Sequence, residues 1–168
     1  MNHSFSYFEQ AINRVAMRRE GMPQGEVVLN RLLYYVARTL DDRYDQFLAD
    51  YGLSTTSFLA LAMIYSSETQ SLNPSDLSDA LISSRTNVTR LSNELAKAGW
   101  VDRRPSSEDR RRVELSMTKA GNALLERVFP GIWAHTTRQW IGLTRAELKE
   151  LERLLRKLLG NLGGVTAT

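Results

Sequence analysis

The sequence predicts a mainly α-helical chain with one small β-hairpin past its middle, on three observations. Apolar residues recur at spacings of three and four through most of the 168 residues, which is the helical period. Strict alternation is confined to residues 110 to 117, where Val113, Leu115 and Met117 alternate with Arg112, Glu114 and Ser116. Helix punctuation separates the periodic segments, with Ser54, Asn73-Pro74, Thr118 and Thr144 at starts and Gly52, Gly99 and Gly160 at ends.

The first helix covers residues 5 to 19, with Phe5, Phe8, Ile12 and Val15 on one stripe, and GMPQG at 21 to 25 breaks it. A second runs from Glu26 to Tyr51 through Val28, Leu32, Leu33, Val36, Leu40, Tyr44, Phe47 and Leu48. Gly52 follows in the left-handed position after its end. This stripe is longer than a small core needs and can also serve a partner helix.

Ser54 caps a third helix through about Ser67. Phe58, Leu59, Leu61, Ala62, Met63 and Tyr65 make it apolar over most of its circumference, so it belongs at the buried centre. SETQSLN reads as a loop. Asn73 and Pro74 then open a short helix, 74 to 81, with Asp76 suited to its dipole and Leu77, Ala80 and Leu81 inward.

The next helix begins after Ser83 or Ser84 and reaches about Ala98, with Gly99 ending it. Val88, Leu91, Leu95 and Ala98 form its inner stripe. The opposite face holds Thr86, Thr89, Asn93 and Ala96, flanked by Arg85, Arg90 and Lys97, with Glu94 off to one side. Trp100 to Arg103 is strand-like, Pro105 to Asp109 is a turn, and Arg110 to Met117 is the second strand. Thr118 caps a long helix through Trp140 that Pro130 should kink. Thr144 and Glu147 form a capping box, with Leu143 and Leu148 as a staple. The last helix, 145 to 159, carries Leu148, Leu151, Leu154, Leu155, Leu158 and Leu159, stops at Gly160 and leaves a frayed tail.

The bulk numbers narrow the function. A chain of this length fits one domain, and its 42% apolar content supports a folded core. The absence of cysteine excludes disulfides, thiolate metal sites and a thiol switch. No signal peptide opens the chain and no apolar run is long enough to span a bilayer, so a soluble, cytoplasmic protein with no membrane partner is expected. The charge is localised. Residues 85 to 112 hold eight Lys or Arg and four Asp or Glu, a net +4, while the rest of the chain stands at −1 of the total +3.

Two helices joined by a tight turn and followed by an arginine-tipped hairpin make a winged helix-turn-helix. The B-DNA major groove, about 12 Å wide, admits one helix whose outer face is polar and cationic. Thr86, Thr89 and Asn93 suit base edges, and Arg85 and Arg90 suit guanine or phosphate. The helix start at Ser83 and Ser84 offers N–H groups to a phosphate. Arginine at a hairpin tip suits a narrow minor groove.

The order of two helices, GWVDRR, PSSEDRR, VELSMT and KAG resembles the MarR family of winged-helix transcription factors over nearly the whole chain. SSRTNVTR, NEL, GW, RR and the DRR tip, with RLL in the second helix and RKLL in the last, are closest to its EmrR/MprA multidrug-efflux repressor subgroup. The resemblance implies a homodimer whose helices in 1–51 and 119–168 interlock around a DNA-binding lobe at 54–118. It implies a wing in which Asp109 braces the hairpin and Arg111 enters the minor groove, beside Arg110. It also implies DNA contacts at Arg90 and Arg103, and a double-stranded, pseudo-palindromic operator. Arg112 departs from the small or apolar residue often found there.

The family's effector site lies between the dimer helices and the DNA-binding lobe, and regulators lacking a sensing cysteine bind small aromatic or phenolic anions. Arg31, Tyr34, Tyr35, Phe58, Met63, His135 and Trp140 are the candidate wall residues, with Arg31 offering a charge. Aromatics at helical spacing also serve as plain core. The implied role is a repressor of efflux or stress genes released by such compounds.

No enzyme is expected. His3 and His135 lack metal-ligand spacing, and no GxSxG, P-loop or GxGxxG pattern occurs, so no cofactor or metal is implied. Asp41 and Asp42 point about 100° apart on a helix, which does not suit paired acid-base work. On the residues alone, a protein-interaction module and a non-specific DNA-coating protein remain open beside the regulator.

Overall fold

The computed structural model describes residues 5–81, 84–105 and 113–163. The order is α1 (Phe5–Ala16), α2 (Gln24–Ala49), α3 (Thr55–Ser66), β1 (Ser71–Leu72), α4 (Pro74–Ala80), α5 (Arg85–Lys97), β2 (Val101–Pro105), β3 (Val113–Met117), α6 (Lys119–Gln139) and α7 (Arg145–Asn161). The chain divides into two compact units between Phe129 and Pro130, inside α6. That helix continues through Pro130, whose ring removes one backbone donor from it.

In the first unit, α3, α4, α5, β2, β3 and α6 each contribute a fully buried side chain. Leu61 and Ile64 of α3, Leu77 of α4, Val88 and Leu95 of α5, Val101 of β2, Leu115 of β3 and Leu125 of α6 are fully buried. Removing a leucine of this kind from water is worth about 1.5–3 kcal/mol. Leu48, near the end of α2, is also fully buried.

Two glycines end helices as their spacing predicts. Gly52 (φ +72°) and Gly99 (φ +75°) both take the left-handed conformation. Around each, the backbone closes with the pair of hydrogen bonds of a Schellman motif: Leu53 to Leu48 and Gly52 to Ala49, then Trp100 to Leu95 and Gly99 to Ala96. Gly160 differs from its expected role. It stays helical, and Gly163 (φ +75°) is the left-handed residue after α7. Gly160 still accepts from the Gly163 N–H, and the helix runs two residues past Leu159, to Asn161.

Ser54 caps α3 through the Ser57 N–H, and the Ser57 hydroxyl oxygen accepts from the Ser54 N–H at 2.7 Å, completing a capping box. The capping box of α7 forms from Thr144 and Glu147 as the spacing predicts. Thr118 accepts from the Gly121 N–H at 3.0 Å while its own hydroxyl donates to Gly99 O at 2.7 Å. One threonine thus starts α6 and ties it to the end of α5.

The sheet has three strands and not two, all antiparallel, in the order β1-β3-β2. Its extra member, β1, lies in the segment expected as a loop. Two residues are too few to show a period; pairing with Ser116 and Leu115 makes them a strand. Gln70, at φ +50°, turns the chain into it, and its amide exchanges hydrogen bonds with Asn122 of α6.

Several expected inner positions shift. Ala80 and Ala98 are exposed, and Ser78 and Ser92 are buried in their helices instead. Ser92 tolerates this because its hydroxyl donates to Val88 O at 2.7 Å. The α3 helix is buried on one side only, with Leu59 and Tyr65 exposed. The turn at 106–109 and the start of the second strand at 110–112 fall outside the described residues.

Candidate nucleic-acid interface

The polar turn before α5 positions the candidate reading face. Ser84 takes extended backbone (φ −67°, ψ 149°) and its hydroxyl accepts from the Asn87 N–H at 3.3 Å. That cap sets the helix phase. Val88, Leu91, Ser92 and Leu95 then point into the core, and Arg85, Thr86, Thr89, Arg90 and Asn93 are all exposed. A cavity of about 360 Å³ lies where the starts of α4 and α5 meet, lined by Pro74, Ser75, Arg85 and Thr89.

The exposed side chains are partly organised among themselves. The Thr89 hydroxyl donates to Arg85 O at 2.9 Å, which fixes its rotamer and leaves its oxygen able to accept. Arg90 pairs with Glu94 at 2.5 Å, one turn on. Their side chains are 68% and 55% exposed, so the pair is worth only about 0.3–0.5 kcal/mol and yields readily to a stronger anion. Arg103 of β2 donates from Nη1 to Oδ1 of Asn93, joining the hairpin to the recognition helix. Beside it, Arg104 pairs with Asp102 at 2.8 Å.

Thus Ser84, Arg85, Thr86, Thr89, Arg90, Asn93 and Arg103 lie on one helix-and-strand surface. Ser83, Asp109, Arg110 and Arg111 lie outside the described residues. The pairing of Arg90 with Glu94 was open to the i, i+4 rule and went unread. The pairing of Arg103 with Asn93 crosses elements, and no local spacing signals it.

Five of the candidate effector residues belong to the first unit and two to the second. Arg31 stacks its guanidinium over the Phe8 ring at 4.2 Å, and one turn on Tyr35 meets Phe5 at 5.8 Å. Tyr34 is exposed on the same helix. Phe58 meets Phe129 edge-on at 6.2 Å, and Met63 is half-buried on α3. In the second unit His135 is half-buried on α6, and Trp140 lines a cavity of about 450 Å³ with Leu148, Leu151, Leu155 and Leu159. Among the described residues, no three His, Asp or Glu side chains cluster as metal ligands, and no helix is long and apolar enough to cross a membrane.

Comparison with known proteins places this geometry. The MarR family profile matches residues 53–113, from the start of the lobe into β3. The transcriptional repressor MprA of Escherichia coli K12 is 39% identical over 96% of this chain and 92% of its own length. The HTH-type transcriptional regulator PrsX of Escherichia coli is 30% identical over 95% and 96%. Among solved structures, a cysteine-to-serine variant of Escherichia coli MarR complexed with operator DNA aligns at a TM-score of 0.75 and 26% identity, covering 83% of this chain and 99% of that one. AbsC, a MarR family transcriptional regulator from Streptomyces coelicolor, shares the fold at a TM-score of 0.79 and 24% identity, covering 88% and 100%. The chain belongs to the MarR family, whose members are winged-helix transcriptional regulators and not enzymes.

Proposed function

We propose that the protein is a dimeric, cytoplasmic repressor that reads a pseudo-palindromic operator and is released by a small aromatic or phenolic anion. The observation that carries the reading is the outer face of α5. It presents Arg85, Thr86, Thr89, Arg90 and Asn93 to solvent, with Arg103 of β2 held against it. Thr86, Thr89 and Asn93 contact base edges, Arg85 and Arg90 reach guanine or phosphate, Ser83 and Ser84 offer N–H groups to a phosphate, and Arg103 holds a phosphate. Arg111 reaches the minor groove in this reading, with Asp109 as its brace and Arg110 as a neighbouring candidate contact.

Exposed leucines on α2 and α7 support a dimer built by residues 1–51 and 119–168. A two-fold axis would set two copies of α5 about one helical turn apart on DNA. The effector-site candidates are Arg31, Tyr34, Tyr35, Phe58 and Met63 of the first unit and His135 and Trp140 of the second. Binding there changes the spacing of the two lobes, so that both helices no longer fit together. The likeness to the repressor MprA, and to the multiple antibiotic resistance protein MarR of Salmonella typhimurium at 30% identity over 79% of this chain, supports efflux or stress genes as targets.

The test is a mobility shift on the protein's own upstream promoter region against a random duplex, with and without a panel of phenolic compounds. Specific regulators gain roughly 10³-fold or more on their site, and a released complex identifies the effector. Equal affinity for both duplexes points to a non-specific DNA-coating protein. No salt-sensitive binding at all points to a protein-interaction module.

A further inference from the structure

We infer that Glu94 is a specificity-determining residue of the recognition helix, acting as a restraint on Arg90. The inference rests on the operator reading above. Glu94 is the only carboxylate on α5, and it lies one turn beyond Arg90 with its oxygen 2.5 Å from the guanidinium. Both side chains are more than half exposed, so the pair is open to solvent at the flank of the α5 face that carries Thr86, Thr89 and Asn93, and it contributes little to the fold.

Non-specific binding is a sum of phosphate contacts, each releasing counterions. Against a random duplex, Arg90 meets a phosphate with the Glu94 carboxylate beside it, and that negative charge faces the polyanion. The pair therefore penalises every sequence-independent complex. In the operator complex the same pair is an asset. Glu94 holds the Arg90 fork in one orientation for a guanine edge, and its second oxygen can accept from a cytosine N4 amino group. Restraint of this kind lowers random affinity and keeps specific affinity, which widens the ratio between them.

The experiment measures wild type, Glu94→Gln, Arg90→Ala and the double variant on operator and random duplexes across a salt series. Glu126→Gln, an exposed change of the same charge on α6, is the control for net charge. With Glu94→Gln, random-duplex affinity should rise about fivefold near 0.15 M salt and its salt slope should steepen by about one unit, the value of one added phosphate contact. Operator affinity should rise less or fall, and in the Arg90→Ala background the change in salt slope should vanish, leaving only the gain that Glu126→Gln also gives. Equal gains on both duplexes, no gain, or the same gain from Glu126→Gln would overturn the assignment. A wild type without operator preference would overturn the operator reading and this inference with it. A wild-type preference left untouched by Glu94→Gln overturns the Glu94 role alone.

Discussion

Arg103 donates a hydrogen bond to the side-chain carbonyl of Asn93, ten residues earlier in the chain, and so clamps β2 of the wing against α5. A bidentate reading of adenine needs both the oxygen and the nitrogen of an asparagine amide. Here Arg103 takes one acceptor position of that oxygen, which leaves its second lone pair and the amide hydrogens for a base. The pair thus aims Arg103 as much as it exposes Asn93.

Such a clamp makes the two residues act as one. Asn93→Ala and Arg103→Ala should each weaken operator binding about tenfold, or about 1.4 kcal/mol. The double variant should lose little more than either single one, because neither residue keeps its geometry without the other. Fluorescence anisotropy on labelled operator measures the cycle. Additive losses would mean that the hydrogen bond has no part in DNA binding.

Gly121 carries a different kind of constraint. A Cβ added there would lie 2.2 Å from the Trp100 carbonyl oxygen and 2.6 Å from Met117 Sδ. The Trp100 oxygen also accepts from the Thr118 N–H at 3.1 Å, so the backbone cannot retreat without losing that bond. Gly121→Ala should therefore cost about 1–3 kcal/mol and lower Tm by several degrees. Gly25 meets nothing within 4 Å and lies in α2, so Gly25→Ala should be neutral or stabilise by up to about 1 kcal/mol. Thermal unfolding of the two variants should move in opposite directions; an unchanged Tm for Gly121→Ala rules the clash out.

Helix starts were legible in the sequence because their chemistry is local. Ser54, Asn73-Pro74, Thr118 and Thr144 each place a polar side chain or a proline where free N–H groups need one. Asn73 shows the limit, since its side chain makes no capping bond and donates to Asp76 instead. Helix faces were legible where large residues mark them and failed at small ones, as the exposed Ala80 and Ala98 and the buried Ser78 and Ser92 show. Hydrophobic burial scales with area, so an alanine or serine is placed by its neighbours and not by its own transfer energy. The candidate DNA surface was readable as a set of residue types. Its internal pairings depend on the approach of β2 to α5, which only the folded chain specifies.

Acid should loosen the start of α7. Glu147 accepts from the Thr144 N–H at 2.7 Å and from its hydroxyl at 2.8 Å, and these bonds hold its pKa below the ordinary 4.5. Arg153, bonded to Glu150, lowers that carboxylate as well. A carboxylate depressed by folding stabilises the helix fully above about pH 4.5, the unfolded value. That contribution disappears as the pH falls through the lower folded value. Carboxyl-carbon NMR should show Glu147 titrating below 4.5, and Thr144→Ala, which removes the hydroxyl but keeps the N–H, should bring it part of the way back. Titration of wild-type Glu147 at or above 4.5 would discount the capping box as the source.

The proposed dimer makes its sharpest demand on α7. The helix is capped at its start, yet none of its residues is buried, and Leu154, Leu155, Leu158 and Leu159 are each more than a third exposed. Single exposed leucines are ordinary, but four within two turns of one helix form a continuous apolar stripe that a partner helix would cover. Replacing Leu155 and Leu159 with glutamate puts two charges into that contact, where burial without a partner is expensive. The Leu155→Glu, Leu159→Glu variant should sediment as a monomer at micromolar concentration while the wild type sediments as a dimer. Its lobe should remain folded, since none of the lobe's buried core residues lies on α7. Operator affinity should then fall by at least about 10²-fold towards that of a single half-site, and its salt slope should drop by about half, because one lobe neutralises half the phosphates. A variant that stays dimeric, or a monomeric wild type that still binds its operator tightly, would refute the two-lobed reading head.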